Sequence, residues 1–194
     1  MGRKSLKEPR QKEIIKAFYK IVKKDGLENA SIQKIAESIQ INPSLIMHYF
    51  RSREHLVYGL VEFILDRWLL IFDVKGAEDP RDALDKVLDN IFSKKWNSLF
   101  DDGTSYSLYS LAFRNKTIRQ RYKHLLDSLR QRLSEMIEAC NESKSLAVKD
   151  PVAAADIIFV LVDGAYYYLS LVDDKAEYDR RLAVYKKHAL NVLC

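Results

Sequence analysis

The residue types best suited to contact a nucleic acid are concentrated in one short stretch of this sequence, residues 31–56. A segment that begins at Pro43 is barely two turns long as a helix, and Ile46 and Phe50, four residues apart, would form its inner face. The side chains left to point elsewhere are Ser44, Leu45, Met47, His48 and Tyr49. Side chains on such a helix can reach phosphates, which position a protein on DNA, and base edges, which specify the sequence.

The elements around this segment follow the helix-turn-helix plan. Ser31 is placed to cap a preceding helix, whose apolar residues recur at helical spacing: Ile32, Ile35, Ala36 and Ile39. Asn42 can cap the short helix, Pro43 fits its first turn, and Ser52 can cap a third helix. Two helices joined by a tight turn, with the second one exposed, form a motif that suits the major groove of DNA.

The segment IAESIQINPSLIMHYFRSREHL resembles the signature of the TetR family of bacterial transcriptional repressors. The positions that match are Ile35, Ala36, Ile41, Asn42, Ile46, Tyr49, Phe50, Ser52, Arg53, Glu54 and Leu56. Gln40 departs from the signature by replacing the glycine of the turn, so we expect a positive φ there at some cost in strain. Met47 replaces a tyrosine and loses its hydroxyl, while Arg53 replaces a lysine and keeps the charge.

Each residue of the expected DNA surface has an assigned partner. Tyr49 and Arg53 are assigned to phosphates, and base edges are assigned to Ser44, Leu45 and His48. Gln33, on the preceding helix, could reach either kind of partner, and His48 could instead be a structural or phosphate-facing histidine. The complete surface is Gln33, Pro43, Ser44, Leu45, Met47, His48, Tyr49 and Arg53. Looser phosphate or minor-groove contacts are expected from Arg3, Lys4 and Arg10.

Composition and periodicity favour an all-α chain. The 194 residues include only six glycines and four prolines, and no stretch shows convincing strand alternation. We expect about nine helices, one of them from about Pro80 to Leu99. A three-helix, helix-turn-helix DNA-binding domain would occupy residues 1–52, and a helical effector-binding and dimerisation bundle residues 53–194. This layout is similar to that of the TetR family over essentially the whole chain.

Positive charge accumulates around the motif, although the whole chain carries only +5. Residues 1–56 contain 12 Lys and Arg against 6 Asp and Glu, whereas residues 57–194 contain 20 against 21. A phosphate backbone would therefore lie against the positive part of the chain. A solvated basic N-terminus without a specific ligand is the alternative interpretation.

Signals of enzymes, secreted proteins and membrane proteins are missing from the sequence. The four histidines are scattered without metal-ligand spacing, and neither a Gly-rich phosphate loop nor a nucleophile motif occurs. The two cysteines suggest no disulfide framework. The N-terminus lacks the apolar run of a signal peptide, and the longest apolar run, 157–172, is interrupted by Asp163. We expect a cytoplasmic protein without enzymatic activity, cofactor, metal or membrane contact.

The C-terminal part is expected to dimerise and to sense a ligand, as the resemblance implies. The last two helices are the expected homodimer interface because Gly164 and nearby alanines permit close helix approach; packing within the chain is the alternative. An effector pocket is expected among aromatic residues, any of which could instead fill the core: Trp68, Phe92, Trp96, Tyr106, Tyr109, Phe113, Tyr122 and Tyr166. Their mixture of Tyr and Trp favours an apolar or aromatic effector.

The predicted function is that of a sequence-specific, DNA-binding transcriptional regulator, a repressor that a small-molecule effector releases from a palindromic operator. A helical scaffold or carrier that uses its helix-turn-helix for protein contacts is the alternative. An activator, or a repressor without a ligand, also fits the sequence. Salt-dependent binding to duplex DNA would separate a regulator from a scaffold.

Overall fold

The computed structural model describes residues 7–99 and 101–194. These residues form α-helices and one short 3-10 helix but no strand, which confirms the expected all-α fold. The α-helices are α1 (Lys7–Asp25), α2 (Ile32–Ser38), α3 (Pro43–Phe50), α4 (Arg53–Trp68), α5 (Pro80–Ile91), α6 (Lys94–Leu99), α7 (Asp102–Ala112), α8 (Lys116–Glu142), α9 (Pro151–Leu169) and α10 (Lys175–Asn191). The 3-10 helix, Leu69–Phe72, follows α4 directly.

The single helix expected from Pro80 to Leu99 is divided in the structure, which corrects that prediction. α5 ends at Ile91, and the Ser93 hydroxyl oxygen then accepts the backbone N–H of Lys95 at 3.1 Å. Ser93 thereby caps α6, because its hydroxyl satisfies an amide that no helical carbonyl reaches. The Ile91 carbonyl at the break accepts a buried hydrogen bond from the Tyr166 hydroxyl at 2.7 Å. A tertiary contact therefore stabilises a break that helical periodicity does not reveal.

Packing divides the chain into two compact units. The first contains the described residues up to Arg67 together with Asp101–Tyr122. It therefore comprises α1–α3, α4 as far as Arg67, α7, and α8 as far as Tyr122. Its fully buried side chains come from all of the first four helices and include Ile14, Phe18, Ile35, Ile46 and Leu60. This unit groups nearly all of α4 with the helix-turn-helix, whereas the expected functional boundary between residues 52 and 53 stays a prediction.

The second unit contains the described residues of Trp68–Phe100 together with Lys123–Cys194. Arg130 on α8 forms ion pairs with two residues of α9 that lie two turns apart. Its guanidinium lies 2.8 Å from Asp156 Oδ1 and 3.3 Å from Asp163 Oδ2. Loss of water contact raises the pKa of the Asp163 carboxyl, and the charge of Arg130 opposes that shift. The core of this unit contains aliphatic side chains, including Leu84, Leu88, Leu133, Ile158 and Val162, together with buried aromatic ones.

Candidate nucleic-acid interface

The turn between α2 and α3 is closed by hydrogen bonds that depend on an unusual backbone at Gln40. Its φ is 54°, which confirms the positive value expected where glycine is replaced. The Gln40 N–H donates to the Glu37 carbonyl at 3.3 Å, and the Ile41 N–H donates to the Ala36 carbonyl at 3.0 Å. This pair of bonds is the Schellman motif, which ends a helix at a residue with positive φ. The turn therefore fixes the direction in which α3 leaves α2.

All three expected helix caps are present. The Asn42 side-chain oxygen accepts both the backbone N–H of Ser44 at 2.9 Å and the Ser44 hydroxyl at 2.8 Å. Pro43 occupies the first turn of α3, where its missing N–H has no helical partner to lose. The other two caps are Ser31, which accepts the N–H of Lys34 at 3.2 Å, and Ser52, which accepts the N–H of His55 at 3.2 Å.

α3 has one buried face and one uncovered face. Ile46 and Phe50 are buried, as their spacing predicts. The residues of the expected DNA surface all retain access to solvent in the described structure. Five are exposed, namely Gln33, Ser44, Met47, His48 and Arg53, and three are half-buried, namely Pro43, Leu45 and Tyr49. The rings of His48 and Tyr49 lie edge to face, with their centroids 5.5 Å apart.

Two residues of this surface already make hydrogen bonds inside the protein. The Gln33 amide donates to Glu37 Oε1 at 2.8 Å, one turn further along α2. The Arg53 guanidinium donates to the Leu27 carbonyl at 2.8 Å. Each side chain must share or exchange this hydrogen bond to contact DNA. The net free energy gained from the DNA contact is therefore smaller than for a side chain without an internal hydrogen bond.

Sequence reasoning missed two residues that bear on the orientation and charge of α3. The Gln11 amide on α1 donates to the Tyr49 carbonyl at 3.3 Å and so fixes the last turn of α3 against α1. Arg51 follows α3 with φ 57° and is exposed, which adds a cation at the C-terminal end of the helix. Only the tertiary structure reveals the contact of Gln11 with Tyr49. Arg51 could have been found from the sequence, as a cation directly after the Tyr49–Phe50 pair.

Ion pairs within the first unit neutralise part of its positive charge. Lys34 on α2 pairs with Asp25 at 2.7 Å, and this ammonium holds the pKa of the Asp25 carboxyl below its usual range. Arg10 pairs with Glu13 at 2.6 Å, so the phosphate role expected of Arg10 competes with an internal partner. The other two residues expected to make looser contacts, Arg3 and Lys4, lie outside the described residues.

The aromatic residues of the expected effector pocket are distributed between the two units. In the second unit, four are buried: Trp68, Phe92, Trp96 and Tyr166. The rings of Trp96 and Tyr166 stack with their centroids 5.0 Å apart. In the first unit, Tyr122 is buried and its pKa is raised by burial, while three are exposed: Tyr106, Tyr109 and Phe113. The lining of the effector pocket stays a prediction.

Two surface cavities occur away from these aromatic residues. The first, of about 530 Å³, lies between α1 and α2. The second, of about 300 Å³, is lined by residues of α5, α10 and the last residues of the chain. Among the residues that the structure describes, no group of three or more His, Cys, Asp and Glu side chains could hold a metal ion.

α9 presents an apolar face to solvent. Its residues follow each other in alternate steps of four and three and are called the α9 row: Ala153, Ile157, Val160, Gly164, Tyr167 and Leu171, the last just beyond the helix end. Val160 is 58% exposed and Leu171 is 74% exposed, and a Cβ at Gly164 would meet no atom within 4 Å. By length and composition alone α9 could cross a membrane, a test that core helices of soluble proteins also pass, and 44% of its most apolar window is buried within the protein.

Comparison with known proteins matches both parts of the chain. Residues 14–58 match the model of bacterial regulatory proteins of the tetR family, and residues 79–194 match that of tetracyclin repressor-like C-terminal domains. The chain is 22% identical over 160 residues to the nucleoid occlusion factor SlmA of Vibrio atlanticus, which covers 78% of this chain and 80% of that protein.

Solved structures share the fold. The crystal structure of a TetR transcription regulator from Haloarcula marismortui superposes with a TM-score of 0.80 at 19% identity, over 95% of this chain and 96% of that one. A transcriptional regulator from Saccharomonospora viridis, crystallised in complex with choline, superposes with a TM-score of 0.69 at 16% identity, over 94% of both chains.

Proposed function

The chain belongs to the TetR family of bacterial transcriptional regulators, and we propose that it is a homodimeric repressor that a small-molecule effector releases from a palindromic operator. The family and the fold are those of DNA-binding regulators and not of enzymes. The observation that carries the proposal is the uncovered face of α3, where Ser44 and His48 are exposed beside a turn fixed by Gln40.

The roles of the α3 residues follow from their chemistry and access. Ser44 donates its hydroxyl hydrogen to Asn42, so its oxygen remains available to accept a hydrogen bond from a base. His48 carries the exposed ring on the same helix and is assigned to a base edge. Tyr49 and Arg53 are assigned to phosphates, with Arg51 as an added cation nearby. Phosphate contacts would position the protein, and only the base contacts would specify the sequence.

The α9 row supports dimerisation through the last two helices. A glycine inside a helix costs about 1 kcal/mol relative to alanine, yet no described residue lies where a side chain of Gly164 would be. Close approach of a second copy accounts for this glycine. Alternate spacing of four and three residues is also the pattern by which two helices pack along an apolar seam.

Dimerisation would give the short α3 its specificity. A helix of eight residues reads few base pairs, whereas two copies related by a two-fold axis read two half-sites about 34–36 Å apart, one turn of the duplex. The operator would then be palindromic, because each half-site meets the same protein surface.

We place effector binding in the second unit and treat its aromatic residues as the pocket walls. The stacked rings of Trp96 and Tyr166 are buried in this unit, and a cavity that opened beside them would have apolar walls suited to an apolar or aromatic compound. A relative of the same fold was crystallised with choline, a small molecule. The effector would favour one arrangement of the recognition helices only through a different affinity for the two states. α4 is the proposed lever, since it follows α3 directly and ends at Trp68, the first residue of the second unit.

A binding assay with labelled duplexes tests this function. We expect a cytoplasmic protein whose affinity for a preferred duplex falls steeply with salt and falls again when one compound from an apolar or aromatic panel is added. Duplex binding that ignores salt, or no duplex binding at all, would favour the scaffold alternative. Binding that no compound weakens would leave a regulator without an effector.

A further inference from the structure

The cavity between α1 and α2 is bordered by a row of lysines. Lys12, Lys16 and Lys20 line it, are exposed, and follow each other at intervals of four residues on α1. With 1.5 Å of rise per residue, the row extends over about 12 Å. In the part of the chain that the structure describes, none of these three ammonium groups forms an ion pair or hydrogen bond.

This row contrasts with helical cations that have a partner. Elsewhere, some cations pair with an acid four residues away, as in Arg81–Asp85 and Lys123–Asp127. Such opposite pairs stabilise a helix, whereas like charges at the same spacing destabilise it. Within the row, Lys12–Lys16 and Lys16–Lys20 are like-charged pairs at this spacing. Glu8 lies four residues before Lys12, and Glu13 borders the same cavity but pairs with Arg10, so these acids relieve the repulsion only in part. An anionic ligand would relieve it further.

The floor of the cavity is apolar, which restricts the kind of anion. Ala17 is buried, and Ile21 and Ile39 are half-buried in the same lining. A phosphate backbone offers charge but no apolar group for such a floor. A polypeptide can carry both groups, with carboxylates for the lysines at the border of the cavity and an apolar side chain for its floor.

Two lysines of the row, Lys16 and Lys20, lie away from the α3 side of α1, whereas Lys12 is only about 100° from Gln11. Gln11 contacts the last turn of α3, and at 100° per residue Lys20 projects from the opposite side of α1 and Lys16 close to it. A duplex read by α3 therefore leaves these two lysines accessible.

We propose that the groove between α1 and α2 binds an acidic segment of a partner protein. Carboxylates four residues apart on a helical segment would be about 6 Å apart, which matches the spacing of Lys12, Lys16 and Lys20. An apolar side chain of the same segment would occupy the floor formed by Ala17, Ile21 and Ile39. The regulator would thus engage a protein and its operator simultaneously, through different faces of the first unit.

Fluorescence anisotropy on the full chain tests the proposal. The probe is a labelled 20-residue helical peptide with Glu at every fourth position and Leu on the adjacent stripe, and the comparison peptide has Gln in place of Glu. We expect saturable binding of the Glu peptide only. The triple variant Lys12→Gln, Lys16→Gln, Lys20→Gln should bind it about tenfold more weakly. The matched variant Lys75→Gln, Lys144→Gln, Lys149→Gln loses the same charge at exposed positions elsewhere and should bind normally.

A charge exchange provides a second test, in which the decisive result is recovered binding. Lys16→Glu should weaken binding of the Glu peptide, and a peptide with Lys at its central Glu should restore it. Amide resonances of Ser38 and Ile39 should shift when the Glu peptide is added to the unmodified protein. Duplex affinity of the triple variant should stay within twofold of the parent.

Three results would overturn the proposal. The first is no saturable peptide binding, and the second is equal weakening in the two triple variants, which would indicate net charge alone. The third is lower duplex affinity of the Lys12, Lys16, Lys20 variant with a salt slope reduced by about 2.7, which would identify the row as a phosphate surface.

Discussion

α3 and α9 each leave one face uncovered, and the two faces differ in chemistry. On α3 the uncovered side chains include Ser44 and His48, with Met47 as the one large apolar side chain exposed beside them. On α9 they include Ile157, Val160 and Leu171, which are large and apolar. The α3 face can remain hydrated and exchange water for polar partners. The α9 face gains free energy only when an apolar surface covers it.

This difference shows that exposure alone does not define a binding partner. A polar face on a helix that is too short to fold alone suits a hydrated groove with donors and acceptors. A contiguous apolar face suits a second protein surface. We therefore propose DNA as the partner of α3 and a second copy of the chain as the partner of α9. Variants on each helix should affect one partner more directly than the other.

The largest effect is expected from Val160→Glu in the α9 row. The substitution leaves the protomer folded, because Val160 is mostly exposed, but places an unpaired carboxylate in the dimer interface. Burying such a charge costs about 3–5 kcal/mol, which raises the dimer dissociation constant more than 100-fold. Sedimentation velocity should find monomers, and operator binding should be lost with them. Leu70→Glu, an equal change at another exposed apolar residue, should remain dimeric; a dimeric Val160→Glu protein would exclude the α9 row from the interface.

His48→Ala should alter sequence preference without changing the oligomeric state. Loss of a base contact is expected to reduce discrimination at one position of each half-site by about 1–3 kcal/mol. Binding to a set of operators with single substitutions measures this. His124→Ala, at an exposed histidine on α8, is the control. Uniform weakening across all sequences would instead assign His48 to phosphate or to structure.

Gly164→Ala separates the stability of the protomer from that of the dimer. Alanine should stabilise α9 by about 0.5–1 kcal/mol, since no atom of residues 7–99 and 101–194 lies within 4 Å of the added methyl group. The dimer should be weakened if a second copy approaches Gly164 closely. Urea unfolding at low concentration and dimer dissociation should therefore move in opposite directions. Parallel stabilisation of both would mean that no helix packs against Gly164.

Arg53→Ala is expected to have the smallest effect, and it should be uniform across sequences. Removing one phosphate contact reduces the slope of log affinity against log salt by about 0.9. The Leu27 carbonyl that loses its partner is at an exposed bond and can bind water. Titrations at several salt concentrations measure the slope. An unchanged slope would show that Arg53 only anchors the connection between α1 and α2 through Leu27.

Local chemistry made the α2–α3 region predictable, whereas tertiary contacts decided the rest. The caps at Ser31, Asn42 and Ser52 and the positive φ of Gln40 follow from residue type within a few positions. The break after Ile91 does not follow from nearby residue types, since the Ile91 carbonyl accepts a hydrogen bond from Tyr166, 75 residues away. Gly164 suggested close helix approach from sequence alone, but only the structure shows that its own chain leaves the position open.

The aromatic residues show the same limit for the candidate pocket. Apolar type and helical spacing do not distinguish a buried Trp96 from an exposed Phe113, because burial depends on which helices pack together. Trp96→Ala would therefore remove a stacked core side chain as well as any ligand contact. Trp96→Phe, which keeps an aromatic ring, is the better probe of effector response.

Selection of bound duplexes from a random pool, with the parent protein and Val160→Glu side by side, tests the central claim most directly. We predict that the parent protein enriches an inverted repeat whose half-sites are centred about 10 base pairs, or a multiple of that, apart. The Val160→Glu protein should enrich single half-sites weakly or nothing. Enrichment of an unrepeated site by the parent protein, or of the same inverted repeat by Val160→Glu, would contradict the claim that two copies of α3, joined through α9, read the operator together.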